Sequence, residues 1–170
     1  MLRFKLYYDK DEEEEWLKTM SLKGWAFKKF FLGFYTFEPC EPGVYTYQID
    51  MLDNWQGNKD NYARFMEDVE VEVIGQWWRW VYLRKKTADG PFEMYTDIES
   101  KIMQYKKIRN FFIPVTILEI CCFFLELTVT IATKSVVYGL FTILLGVFSF
   151  ALIRIVWKNK IKIMQLKQQV

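Results

Sequence analysis

Two long apolar runs, joined by a very short connection, constrain this chain more than anything else in it. Residues 111–133 carry only Glu119 and Glu126 as charges, and residues 136–157 carry only Arg154. A helix needs about 20 such residues to cross a hydrocarbon core about 30 Å thick. A soluble domain has no room to hide this much continuous apolar surface, so the runs are read as a transmembrane helical hairpin turning at Ala132-Thr133-Lys134-Ser135. The mean hydropathy of −0.03 and net charge of +2 conceal this, because they average two unlike halves.

Residues 1–98 hold 13 Lys+Arg against 18 Asp+Glu, and residues 99–170 hold 10 against 3. Lys101, Lys106, Lys107 and Arg109 precede the first run. Lys158, Lys160, Lys162 and Lys167 follow the second, and the turn has Lys134 alone. The positive-inside rule then places both termini in the cytoplasm and makes this a multi-pass protein of the cell membrane. The expected divisions are a cytoplasmic α+β domain (1–96), a basic juxtamembrane helix near anionic headgroups (97–112), the hairpin (113–157) and a basic cytoplasmic tail (158–170). Thr96 and Glu99 fit a capping box that starts the juxtamembrane helix at Asp97. Pro114 predicts a kink near Asn110 in a segment read as a tether.

Histidine is absent, which excludes Ser-His-Asp and Cys-His catalysis and histidine metal sites. Cys40, Cys121 and Cys122 are too few for a disulfide framework or a four-thiolate zinc site. No paired-acid constellation, phosphate loop or nucleophile motif is present, so the expectation is a protein without enzymatic activity, cofactor or metal.

In the soluble part, residues 3–8 read as a strand. Asp9 or Asp11 caps a helix whose first turn holds Glu12 to Glu15, read as a solvated helix start rather than a metal or partner site. Trp16, Leu17 and Met20 form its apolar face, and Gly24 ends it. Strands are expected at 25–32, 34–38 and 44–51. A helix follows the loop Gly57-Asn58-Lys59-Asp60-Asn61, with Tyr62, Phe65, Met66 and Val69 on one side. Strands at 70–75 and 77–85 close the domain. A shift of 46 residues aligns Trp16 with Tyr62, Met20 with Met66, Trp25 with Val71, Phe27 with Val73, Phe34 with Trp80 and Phe37 with Leu83. Two αββ repeats with an extra first strand predict one antiparallel sheet with two helices on one face, a relative of the ferredoxin-like fold.

Alternation sets Tyr45 and Tyr47 on one face of their strand, and Trp78, Trp80 and Tyr82 on one face of theirs. With helices on the other side, these rings would form an exposed surface for a ligand or partner. Packing in a small core is the equally weighted alternative. Nucleic acid is not expected, because the domain lacks the cationic footprint that phosphates require. In the hairpin, Gly139, Thr142, Gly146 and Ser149 form a small-residue stripe expected to meet Glu119, Cys122, Glu126 and Thr130. Intramembrane carboxylates cost roughly 2.5–3.5 kcal/mol each and signal function. Glu119 is within expected reach of Arg154, while Glu126 is left for protonation or for a polar group of another subunit. The expected partners are the bilayer and another membrane protein or a second copy.

Four segments resemble a bacterial family known as domain of unknown function 2812: Gly33-Phe34-Tyr35-Thr36-Phe37-Glu38, Glu41-Pro42-Gly43-Val44-Tyr45, Tyr47-Gln48-Ile49-Asp50 and Asp89-Gly90-Pro91-Phe92-Glu93-Met94-Tyr95-Thr96-Asp97. The resemblance covers residues 3–110. It implies a Gram-positive source, C-terminal membrane helices and genes often neighbouring PadR-type transcription regulators, so such a regulator is an implied partner. Similar sequences tend to have a Gly-Trp pair near Val69-Glu70-Val71 and glycines at Trp78-Arg79. Together these readings describe a membrane-anchored cytoplasmic sensor, regulatory or interaction module, with an accessory subunit of a membrane complex as the alternative.

Overall fold

A computed structural model describes residues 1–52 and 59–169. The loop residues Gly57 and Asn58 lie outside them. The chain forms two compact units, Met1–Thr96 and Asp97–Val170. The first contains β1 (Leu2–Phe4), α1 (Lys10–Leu22), β2 (Trp25–Phe31), β3 (Phe34–Pro39), β4 (Tyr45–Met51), α2 (Lys59–Asp68), β5 (Glu72–Trp77), β6 (Trp80–Lys86) and a 3-10 turn at Thr87–Asp89. The second is α3 (Ile98–Thr133) followed by α4 (Val136–Lys167).

The class is α+β, as the sequence indicates, but the strands form two sheets rather than one. Their orders are β1-β3-β2 and β4-β6-β5, all antiparallel. The 46-residue shift relates β2 to β5 and β3 to β6. It carries the bulge between Phe27 and Lys29 onto the one between Val73 and Gly75. It also carries β1 onto part of β4, so the repeated unit is βαββ rather than αββ. β2 and β5 are neighbours that share no ladder, and each carries a bulge, a feature that bends a strand and disrupts its local pairing.

The helices do not share a face. Leu17 and Met20 of α1 pack with Phe27, Tyr35, Phe37, Tyr47, Ile49 and Tyr82. Met66 packs with Val71, Val81 and Leu83. Neighbouring residues of β6 thus point into different clusters, and its sheet is covered on both sides. Asp9 caps α1, accepting from the Asp11 N–H at 3.0 Å, and Gly24 leaves the helix at φ +80°. In α2, Met66 is buried and Tyr62 half-buried, but Phe65 and Val69 are exposed, so the predicted apolar side is narrower.

The hairpin turns sit where the repeat places them. Leu32-Gly33 joins β2 to β3 with φ +47° and +84°. A Cβ on Gly33 would lie 2.9 Å from Leu6 and from Phe4, so the position excludes larger residues twice over. The second turn is Trp78-Arg79, with β5 ending two residues later than the sequence suggested, and Trp78 is at φ +58°. This is where glycines were expected from the resemblance.

In the second unit the juxtamembrane segment and the first span are one helix. Asp97, not Thr96, is its N-cap, accepting from the Ser100 N–H at 2.7 Å. Pro114 lies inside it. Lys134, at φ +50°, ends α3, and α4 runs on to Lys167 through most of the predicted tail. At 1.5 Å per residue α3 is about 54 Å long and α4 about 48 Å, well beyond a hydrocarbon core. Both have the length and apolar composition to cross a membrane.

Candidate functional site

The glutamate run at the start of α1 is only half solvated: Glu12 and Glu15 are exposed, whereas Glu13 and Glu14 turn inward. Glu13 falls on the stripe of Trp16, Leu17 and Met20 and turns toward the sheets. A single oxygen, Oε1, accepts from the Tyr35 hydroxyl at 2.6 Å and the Tyr82 hydroxyl at 2.9 Å. These tyrosines belong to β3 and β6, so one carboxyl joins α1 to both sheets. Glu14 accepts from the Ile49 N–H of β4 at 2.7 Å and from Lys10 Nζ at 3.2 Å.

Burial pushes the Glu13 carboxyl from the ordinary 4.5 to about 7. The two tyrosine hydrogen bonds act in the opposite direction, and Glu14 adds to the rise. Burial, with Glu13 beside them, raises both tyrosine hydroxyls far above their ordinary value. Tyr7 stands edge-on to Tyr35 at 6.4 Å. Its hydroxyl is buried and has no hydrogen-bond partner among the described residues. The Lys5 ammonium lies 4.7 Å from the Tyr7 ring centre and 5.0 Å from that of Trp16. The arrangement is a carboxyl able to gain or lose a proton near neutrality, wired to three structural elements.

A second carboxylate, Asp50, is buried and ties down the segment after β6. It accepts from the Tyr95 hydroxyl at 2.9 Å, the Tyr62 hydroxyl at 3.2 Å and the Met51 N–H at 2.7 Å. Gln48 donates to the Phe92 carbonyl and accepts from the Met94 N–H, both at 2.9 Å. Among the described residues no group of three His, Cys, Asp or Glu side chains is arranged to hold a metal.

The five aromatic residues singled out from alternation do not form one exposed surface. Tyr45, Tyr47, Trp80 and Tyr82 do share a face, but it is the one α1 covers. Tyr47 is buried, and its hydroxyl accepts from the Phe27 N–H at 2.9 Å. Tyr45 is half-buried, with the Arg84 guanidinium 4.2 Å above its ring. Trp78 alone is exposed, because it sits in the turn.

In the second unit Thr142 and Ser149 are buried between the helices, and Gly139 and Gly146 are half-buried. The Thr142 and Thr130 hydroxyls are 2.8 Å apart. Glu119 and Glu126 are half-buried, whereas Cys122 and Arg154 are exposed. Glu119 Oε1 and Ser149 Oγ are buried without a hydrogen-bond partner among the described residues. No ion pair between Glu119 and Arg154 is found there either. Arg154 is not among the buried residues of α4.

A Cβ on Gly146 would come 3.2 Å from the Phe123 ring. Gly146→Leu is therefore expected to push the helices apart. In a chain whose native cysteines are replaced by alanine, Thr130→Cys with Thr142→Cys should oxidise readily to a disulfide. Adding Gly146→Leu should suppress it, and unchanged crosslinking would refute the close contact.

Residues 9–117 match the family described as protein of unknown function DUF2812. The chain belongs to that family. The match begins at the cap of α1 and reaches into the apolar part of α3, taking in both carboxylate clusters of this DUF2812 member. Two of its four recognisable segments meet in the fold, Gln48 and Asp50 holding Phe92, Met94 and Tyr95, and Tyr35 of a third binds Glu13. No curated protein matches the chain. No solved structure matches it.

Proposed function

We propose that this protein is a membrane-anchored regulatory or interaction module whose first unit faces the cytoplasm. The observation that carries the reading is the pairing of two apolar helices with a unit built around Glu13. That carboxyl changes charge near neutral pH and touches α1, β3 and β6 together. Protonation there alters how α1 is held on both sheets, which is what a module reporting a cytoplasmic state needs. No catalytic step is part of this reading, and the positive-inside pattern supports two spans with both ends inside. The implied partner is a protein, in keeping with the transcription regulator suggested by the family resemblance.

The unpartnered Glu119 and Ser149 atoms support a second reading, an accessory subunit that meets another membrane protein or a second copy along this stripe. Crosslinking in intact membranes distinguishes the two. For the regulatory reading, partner yield should follow cytoplasmic pH, and Glu13→Gln should abolish that dependence while Glu126→Gln leaves it intact. The reverse pattern would transfer the function to the hairpin. A cysteine in place of Lys134 should react with an impermeant reagent from outside, and protection there would contradict the topology.

A further inference from the structure

One end of the first unit is apolar and exposed. The Phe30 and Trp77 rings, near the ends of β2 and β5, are 5.5 Å apart, so the Leu32-Gly33 and Trp78-Arg79 turns lie at the same end. Leu32 and Trp78 are each 56% exposed although both occupy left-handed backbone. Asparagine or glycine is the favoured occupant of such a turn, and neither residue gains burial in compensation. Beside them Phe4 and Phe34 stack at 4.9 Å and are both exposed, as are Leu6 and Phe31.

The strand ends and turns that form it, residues 1–6, 29–35 and 76–81, contain no Asp or Glu and carry Arg3, Lys5, Lys29 and Arg79. Arg3, Lys5 and Lys29 are exposed along β1 and β2. Bulky apolar tips with a cationic fringe match the interface of an anionic bilayer: the rings enter the headgroup region and the cations meet phosphates. A hairpin in the same membrane would hold the unit at high effective concentration above that surface.

We propose that the two turns and β1 form a second membrane-contact site that dips into anionic phospholipid headgroups. The proposal rests on the hairpin anchoring the chain, and not on any regulatory role. It predicts that lipid composition controls how the first unit stands on the membrane.

The test uses the full chain in nanodiscs of phosphatidylcholine with phosphatidylglycerol, with the native cysteines replaced by alanine. An environment-sensitive fluorophore is placed on Leu32→Cys or, at the opposite end of the sheets, on Glu41→Cys. Nitroxide-bearing lipid should quench the Leu32 label and spare the Glu41 label, and the quenching should fall in phosphatidylcholine alone or at high salt. A Leu32 label open to aqueous iodide and untouched by the nitroxide overturns the proposal. Shielding from both quenchers also overturns it, because protein then covers the tips. Leu32→Asn, which suits the turn and should preserve the fold, is expected to weaken lipid quenching of a label on Phe34→Cys. Alkaline extraction separates the two ideas: a chain released by alkali fails the anchor reading and this one with it. A chain retained with water-exposed tips fails this one alone.

Discussion

Glu13→Ala is expected to destabilise the first unit by roughly 2–5 kcal/mol, since it strands two buried hydroxyls at once. Tyr35 and Tyr82 both donate to Glu13 Oε1, and both are almost fully buried. Water has poor access to replace the lost acceptor, and the packing of α1 on both sheets loosens. Glu13→Gln keeps an acceptor oxygen and should fold. The two variants therefore separate the hydrogen bonds from the charge.

The same carboxyl sets a pH dependence with a definite sign. Its pKa is raised on folding, from 4.5 to about 7, so the folded state holds the proton more tightly than the unfolded chain. The stabilisation is fully present below about pH 4.5 and is lost as pH climbs through about 7, at most about 3 kcal/mol in all. Thermal unfolding of the detergent-solubilised chain, followed by tryptophan emission, should show a falling midpoint across that window. Glu13→Gln should flatten this part of the profile. A slope that survives in Glu13→Gln would assign it to another group and remove Glu13 as the sensing element.

Leu17→Ala should be comparably severe, costing about 2–5 kcal/mol. Leu17 has no exposed surface and shares a cluster with Phe27, Tyr47, Ile49 and Tyr82, from both sheets. These strands are joined across the cluster by side chains rather than by a common ladder, so a cavity at Leu17 weakens the attachment between the sheets. Leu17→Met, close in volume, should cost less than about 1.5 kcal/mol. Equal effects of the two substitutions in the same melts would show that the site is not tightly packed.

Much of the architecture was legible because it depends on local pattern. The apolar lengths of α3 and α4, the cap at Asp9, the start of α3 to within a residue and the 46-residue repeat each follow from residues near one another in sequence. The small-residue spacing on α4 also places Thr142 and Ser149 on the face buried against α3. Sheet assignment was not legible, because alternation along a strand fixes its faces and is silent about which neighbour it pairs with. Placement of the helices was not legible either, and it reversed the meaning of the aromatic residues. Tyr47 and Tyr82 looked like a binding face only while both helices were assigned to the opposite side.

Glu13 shows the same division in one residue. Its spacing from Trp16, Leu17 and Met20 was visible in the sequence and pointed it inward. A run of four glutamates nevertheless reads as solvated, because charge favours water unless partners are supplied. Here the partners come from Tyr35 and Tyr82, 22 and 69 residues away along the chain. The sequence alone therefore determined a two-part chain, an acidic α+β unit and a basic apolar hairpin, since length, charge and periodicity are local quantities. Only the tertiary structure decided which carboxyl is buried and which aromatics are core. Burial depends on what distant segments bring to the same place.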